Sequence, residues 1–146
     1  MNNLLKLTLF IFSIMFVLLS CKKDEQQTNK ELINTWKLVS ISNTTNNETT
    51  LLPEDINYLS LTFVDSTIIE ARSVCNSGFG EYSINNSTIS IDIFFTKMAC
   101  TNGINYPDWE TWFNSNLNKA SRFEVSGKLL TIYSEGSYIL NFIIQE

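Results

Sequence analysis

Residues 81–95, EYSINNSTISIDIFF, decide the fold. In the second half, Ile89, Ile91 and Ile93 alternate with Ser90 and Asp92, so an extended chain has one apolar face and one polar face. That period of two is the signature of a β-strand with one side buried. The first half, Glu81–Ile84, is a second short strand. Asn85-Asn86-Ser87 between them suits a tight turn, because asparagine tolerates positive φ. The stretch predicts an antiparallel hairpin.

The same pattern continues outward in both directions. Thr35–Ile41 sets Trp36 and Leu38 on one face. Tyr58–Val64 sets Leu59, Leu61 and Phe63 on one face, with Ser60 and Thr62 on the other, and Asp65-Ser66 turns the chain into Ile68–Val74. Towards the end, Arg122–Val125, Lys128–Ile132 and Tyr138–Ile144 are separated by Ser126-Gly127 and Glu135-Gly136. Short strands joined by tight turns point to an antiparallel sandwich or barrel. Ser42–Thr50, rich in Asn and Thr, reads as a loop. One segment breaks the period: Trp109, Trp112, Phe113 and Leu117 fall at i, i+3, i+4 and i+8, one face of a helix. Pro107 and Asp108 suit its first turn. The expected fold is mostly β (α+β), an antiparallel barrel or curved sheet of about 7–8 strands with one helix, about 107–118, packed against it.

Ahead of this domain the chain reads as a secretory leader. Lys6 precedes an apolar run, Leu7–Leu19, and Ser20 precedes Cys21. The run falls short of the roughly 20 residues that span a bilayer as a helix. Leu18-Leu19-Ser20-Cys21 resembles a lipobox, in which the cysteine is acylated, as with palmitate, and becomes the first mature residue. The polar run Lys22–Gln27 behind it reads as a solvated tether. The expected organisation is a lipoprotein signal peptide over 1–20, a lipidated Cys21 with tether over 21–31, and a β domain over 32–146. Anchoring to the outer membrane of a cell envelope follows. Lys23-Asp24-Glu25 also resembles a short signal that sends some Bacteroidetes lipoproteins to the cell surface, an ordinary charged linker being the alternative.

Composition narrows the function. The chain of 146 residues carries ten Lys and Arg against fifteen Asp and Glu, and removing the leader takes away only Lys6. An acidic domain without a basic cluster suits no nucleic-acid partner. The chain has no histidine, which removes the Cys–His and Ser–His nucleophile pairs and the imidazole ligands of most catalytic zinc sites. Neither a catalytic set nor a metal or cofactor site is expected. Gly78-Phe79-Gly80 lacks the Lys-Ser/Thr and the helix of a phosphate loop, and its glycines are expected to serve a turn. With Cys21 acylated, Cys75 and Cys100 remain as an even pair. In an oxidising compartment that suggests a disulfide, two free buried thiols being the alternative.

At Cys75 the chain resembles a known family. Cys75-Asn76-Ser-Gly-Phe-Gly80-Glu-Tyr82 is similar to the Cys-Asn…Gly-x-Tyr signature of the META domain, and Thr96-Lys-Met98-Ala99-Cys100 to its second signature, Thr-x-Met-Ala-Cys. Trp36-Lys-Leu38 near the start, Glu110, Phe113 and Leu117 on the helix, and Phe123-Glu-Val125-Ser-Gly127-Lys-Leu129 also match. The residue before the first cysteine is usually small in this family and here is Val74. The resemblance implies a compact antiparallel β domain with a helix, an association with envelope stress and antibiotic tolerance, and no enzymatic activity or cofactor. It also implies structural roles: Asn76 bonding its own turn, Gly80 at positive φ, and Tyr82, Met98 and the cysteines in the core. Three functions stand side by side: a monomeric, lipid-anchored protein that binds an envelope partner; a lipocalin-like binder of a small apolar ligand facing Phe94, Phe95, Trp109 and Trp112; and an enzyme built on paired carboxylates.

Overall fold

The hairpin over residues 81–95 sits at the centre of an antiparallel sheet that closes on itself. The computed structural model describes residues 30–53, 56, 58–98 and 107–145, with the side chains of 107 and 108 excepted; the leader and Cys21 lie outside the described residues. The elements are β1 (Thr35–Asn43), β2 (Glu48–Leu51), β3 (Ser60–Phe63), β4 (Ile68–Arg72), β5 (Ser77–Asn85), β6 (Thr88–Phe95), a helix α1 (Pro107–Leu117), β7 (Ala120–Ser126), β8 (Leu129–Ser134) and β9 (Tyr138–Ile144). Neighbours pair antiparallel from β3 to β9, and β1 joins β3 to β9, closing an eight-stranded barrel. The ninth strand, β2, is an addition. It pairs with Ser40–Asn43, along the same edge of β1 whose first residues pair with β3. The expected mostly β barrel with a helix is the observed fold.

Alternation carries the core. Leu61 and Phe63, Ile69 and Ala71, Ile89, Ile91 and Ile93, Leu130 and Ile132, and Leu140 and Phe142 are all buried. In β1 the inward positions change phase. Trp36 and Leu38 are buried, the register slips between Leu38 and Ser40, and Ile41 is the next large apolar residue inside. One extra residue in a strand has this effect: it bends the strand and re-aims the side chains after it. The Trp36 indole N–H is buried too and donates to the Leu32 carbonyl at 2.8 Å.

Two segments depart from expectation. Ser42–Thr50 is a hairpin and not a loop: Asn47 takes φ 57° and the chain returns as β2. All four residues of β2 are exposed, so no apolar alternation advertises it. β5 begins at Ser77, four residues earlier than the alternation predicts. Gly78 and Gly80 therefore lie inside a strand, and neither takes positive φ; Gly127 and Gly136 do. Their expected turn role is replaced by one of close approach. A Cβ on Gly80 would lie 1.9 Å from the Asp92 carbonyl oxygen, so β5 runs against β6 at a distance only glycine allows.

The hairpin between β3 and β4 shows how a turn is held. Asp65 Oδ1 accepts from the backbone N–H groups of Thr67 and Ile68, both at 2.7 Å, and its carbonyl accepts from the Tyr82 hydroxyl at 2.5 Å. The Thr67 and then the Ile68 amide hold the Asp65 carboxyl below its usual range. Burial, and then the Asp65 charge, push the Tyr82 phenol up. A carboxyl depressed in the folded state stabilises above its unfolded pKa, and that contribution is lost as pH falls through the folded pKa. Asp65→Asn keeps an acceptor and removes the charge. Its stability is expected to fall less steeply than that of the parent below the ordinary carboxylate range, as urea unfolding against pH would measure.

The barrel has one thin seam. β6 and β7 share a single paired position, Thr88 with Arg122, extended by the Phe123 N–H on the Ser87 carbonyl. Past this point α1 lies against β6 and β9, and it buries Trp109, Phe113 and Leu117 along one face. Phe113 reaches Phe142 at 6.4 Å between ring centroids. Just after the helix, the Asn118 carboxamide accepts from the Ile93 N–H at 2.9 Å and donates to the Ile93 carbonyl at 3.0 Å. One side chain thus supplies the pair of bonds a neighbouring strand would. Asn118→Ala is expected to cost about 1–2 kcal/mol, with the Ile93 amide showing the largest rise in hydrogen exchange.

Candidate functional site

The family-like signature residues come together at one end of β5 and β6. Asn76 follows Cys75 in the connection from β4 to β5, and its carboxamide uses both ends. Oδ1 accepts from Thr96 Oγ1 at 2.8 Å and from the Met98 N–H at 2.7 Å. Nδ2 donates to Glu110 Oε1 of α1 at 2.8 Å, with a longer approach of 3.4 Å to the Met98 carbonyl. The buried Ser73 hydroxyl donates to the same Glu110 oxygen. Thr96 Oγ1 also accepts from the Ser77 N–H at 3.2 Å, while the Thr96 N–H donates to the Ser77 carbonyl at 2.9 Å. The Ser73 N–H closes the turn on the Asn76 carbonyl at 2.8 Å.

An amide side chain offers two N–H donors and one oxygen with two acceptor sites. Asn76 spends them on two separate segments, the strand exit at Thr96–Met98 and the helix at Glu110; its own turn, expected to be held by this side chain, is closed by its main-chain carbonyl instead. The arrangement is a clasp. Met98, expected in the core, is instead 64% exposed; its backbone, not its side chain, enters the clasp. Cys75 is half-buried and disulfide-bonded. Cys100, its expected partner, lies outside the described residues, as do Ala99 and Cys21. Val74 packs partly buried against the core. Tyr82 is buried, edge-on to Phe63 at 4.8 Å between centroids. The family resemblance marks Glu110 but not as a partner of Asn76, and Ser73 carries no mark at all, because nothing in its local spacing distinguishes it from a solvated polar residue.

The aromatics considered for a ligand do not share one space. Phe94 and Phe95 are consecutive in β6 and so face opposite sides of the sheet. Phe94 is 76% exposed, while Phe95 packs against the core. Trp109 is buried and meets the half-exposed Trp112 edge-on at 5.8 Å. No cluster of three or more His, Cys, Asp and Glu side chains able to hold a metal occurs among the described residues.

A second feature lies on the outer face of the barrel. Register places Thr35, Thr62, Glu70, Phe79 and Phe94 in one row across β1, β3, β4, β5 and β6. Beside it run Lys37, Ser60, Arg72 and Ser77. Thr35, Thr62, Glu70 and Phe79 of the first row and Ser60, Arg72 and Ser77 of the second line an open groove of about 790 Å³, together with Gln145 just past β9, while Phe94 and Lys37 stand at the row ends outside the lining. Phe79 on its floor is 58% exposed.

Comparison with known proteins follows this geometry. The META domain model matches residues 30–146. Among solved structures, a protein from Burkholderia xenovorans determined by NMR superposes with TM-score 0.64 at 17% identity, covering 86% of this chain and 93% of that one. A DUF4847 family protein from Bacteroides vulgatus gives TM-score 0.57 at 17% identity, covering 79% and 96%. At these identities the likeness is one of fold. No curated protein matches. That match spans the whole β domain and most of the chain, and the chain belongs to the META domain family.

Proposed function

We propose that this protein is a lipid-anchored envelope protein whose META domain is a non-catalytic binding module. One observation carries the binding reading. The polar signature residues spend their hydrogen bonds on one another, so the Asn76 carboxamide holds the fold and is not free to act on a substrate. The absence of histidine supports the same view. Anchoring rests on the leader and on Leu18-Leu19-Ser20-Cys21. Each buried acyl methylene contributes about 0.8 kcal/mol, and two chains suffice for stable attachment. The partner is an envelope component met at the outer surface, because Trp36, Phe63, Phe113 and Phe142 take up the barrel interior as buried side chains. That weighs against a lipocalin-like apolar ligand inside. The oxidising compartment also supports Cys100 as the disulfide partner of Cys75.

Cys21→Ser is expected to move the chain from the membrane fraction to the soluble fraction and to abolish palmitate labelling. A variant that keeps both would remove the anchor from the account. Crosslinking in intact envelopes, followed by capture of the full chain, is expected to recover a specific partner. Protease shaving of whole cells against lysed cells tests surface display.

A further inference from the structure

We propose that the outer-face groove of β1, β3, β4 and β5, with Phe94 of β6 beside its Phe79 end, binds an uncharged oligosaccharide. The proposal goes beyond the anchoring and the general binding role, and it stands if either fails. Four observations carry it. The first is the pair Phe79 and Phe94, directly opposite each other across β5 and β6 and 58% and 76% exposed. They contribute nothing to the core, and leaving two aromatic rings in water forgoes the burial that favours such residues inside. As directly opposed residues on one face of the sheet, they offer exposed rings whose negative faces suit the polarised C–H groups of a pyranose.

The second is the identity of their neighbours. In the same row and the next stand Glu70, Arg72, Thr62 and Ser77, all lining the groove. Among the described residues neither Glu70 nor Arg72 takes part in an ion pair. One acceptor-only carboxylate and one donor-only guanidinium, set beside hydroxyls, match a ligand whose every hydroxyl both donates and accepts. Among the lining side chains these two charges balance, Lys37 standing at the end of its row outside the lining, so the groove itself favours neither an anion nor a cation. A purely apolar ligand would desolvate both groups without replacing their hydrogen bonds.

The third is backbone pairing. β4 and β5 have strands on both sides, and β3 lies between β1 and β4. A peptide therefore has no free edge on β3, β4 or β5 on which to add as a strand, and on β6 beside Phe94 the Asn118 carboxamide takes the Ile93 backbone groups, so recognition has to use side chains. The fourth is shape. The site is a groove, and the same concave face on a second copy would leave it unfilled, whereas a slender chain of rings fits along it.

The test is calorimetric titration of the full chain with neutral tetrasaccharides of β-1,4-glucose, α-1,4-glucose, β-1,4-mannose and β-1,4-N-acetylglucosamine. A tetragalacturonate and a capped neutral hexapeptide serve as comparators. At least one neutral tetrasaccharide is expected to saturate at millimolar concentration or below. Phe79→Ala should weaken it at least tenfold, Phe79→Tyr should retain it, and Leu129→Ala, three strands away on β8, should leave it unchanged. Both positions are exposed, and circular dichroism checks that each of the three variants is folded. Saturation by none of the neutral sugars, preference for the acidic sugar or the peptide, or affinity indifferent to Phe79→Ala would each overturn the proposal.

Discussion

Gly80→Ala is expected to destabilise the protein by about 3 kcal/mol or more, a larger effect than any surface substitution should have. The added methyl would stand 1.9 Å from the Asp92 carbonyl oxygen and 2.8 Å from both the Asp92 carbonyl carbon and Ile93 Cα. All three are backbone atoms of the paired strand, so no side chain can rotate aside; β5 and β6 must part at the centre of the hairpin. Gly78 differs in kind. A Cβ there meets Ile93 Cγ2 at 2.5 Å and the Phe95 ring at 2.8 Å, which are side-chain and not backbone atoms, so the strands need not part. Gly127→Ala is the informative control. Its φ of 60° disfavours a side chain, but nothing lies within 4 Å, so the expected cost is only about 1 kcal/mol. Urea unfolding of the three variants should rank them Gly80, Gly78, Gly127. A Gly80→Ala protein as stable as the Gly127 variant would mean that β5 and β6 are farther apart than described.

The second large effect is expected at the clasp. Asn76→Ala removes the partner of Thr96 Oγ1 and of the Met98 N–H, together with one of the bonds to the Glu110 carboxylate. A hydrogen bond to a charged group contributes about 1.5–3 kcal/mol and a neutral one about 0.5–1.5. Water reaches part of this site, so the expected loss is about 2–3 kcal/mol. Asn76→Asp separates geometry from charge. It keeps the acceptor that serves Thr96 and Met98 but sets a second carboxylate against Glu110. At neutral pH it should be at least as unstable as the alanine variant, and it should recover as pH falls and the repulsion is discharged.

Much of the barrel was legible because its strands bury one face. Wherever large apolar residues alternate, as at Ile89, Ile91 and Ile93 or at Leu59, Leu61 and Phe63, sequence and structure agree. The helix was legible from Trp109, Phe113 and Leu117 for the same reason. What escaped is what burial does not mark. β2 is exposed throughout, so its pairing with β1 leaves no pattern. Gly78 and Gly80 look like turn residues because close approach and positive φ select the same amino acid. Asn118 closes the seam beside Ile93 from twenty-five positions away, and Ser73 and Glu110 meet across thirty-seven. Such contacts exist only once the sheet has closed. The outer groove depends on register in the same way. Glu70, Phe79 and Phe94 become neighbours only when three strands are aligned.

These details give the META signature a physical meaning in this chain. Cys75-Asn76 and Thr96-x-Met98 tie the end of one hairpin to a helix that covers the weakest seam of the barrel, and Gly80 lets the hairpin close. Binding, where it occurs, is then left to the outer face. The most direct test of this account is a double-mutant cycle between Asn76 and Glu110, read by urea unfolding of the parent, Asn76→Ala, Glu110→Ala and the double variant. The clasp predicts that the double variant loses less stability than the sum of the single losses, with a coupling of about 1 kcal/mol or more. Strict additivity, or single variants as stable as the parent, would contradict it and return the signature to a role other than holding the fold.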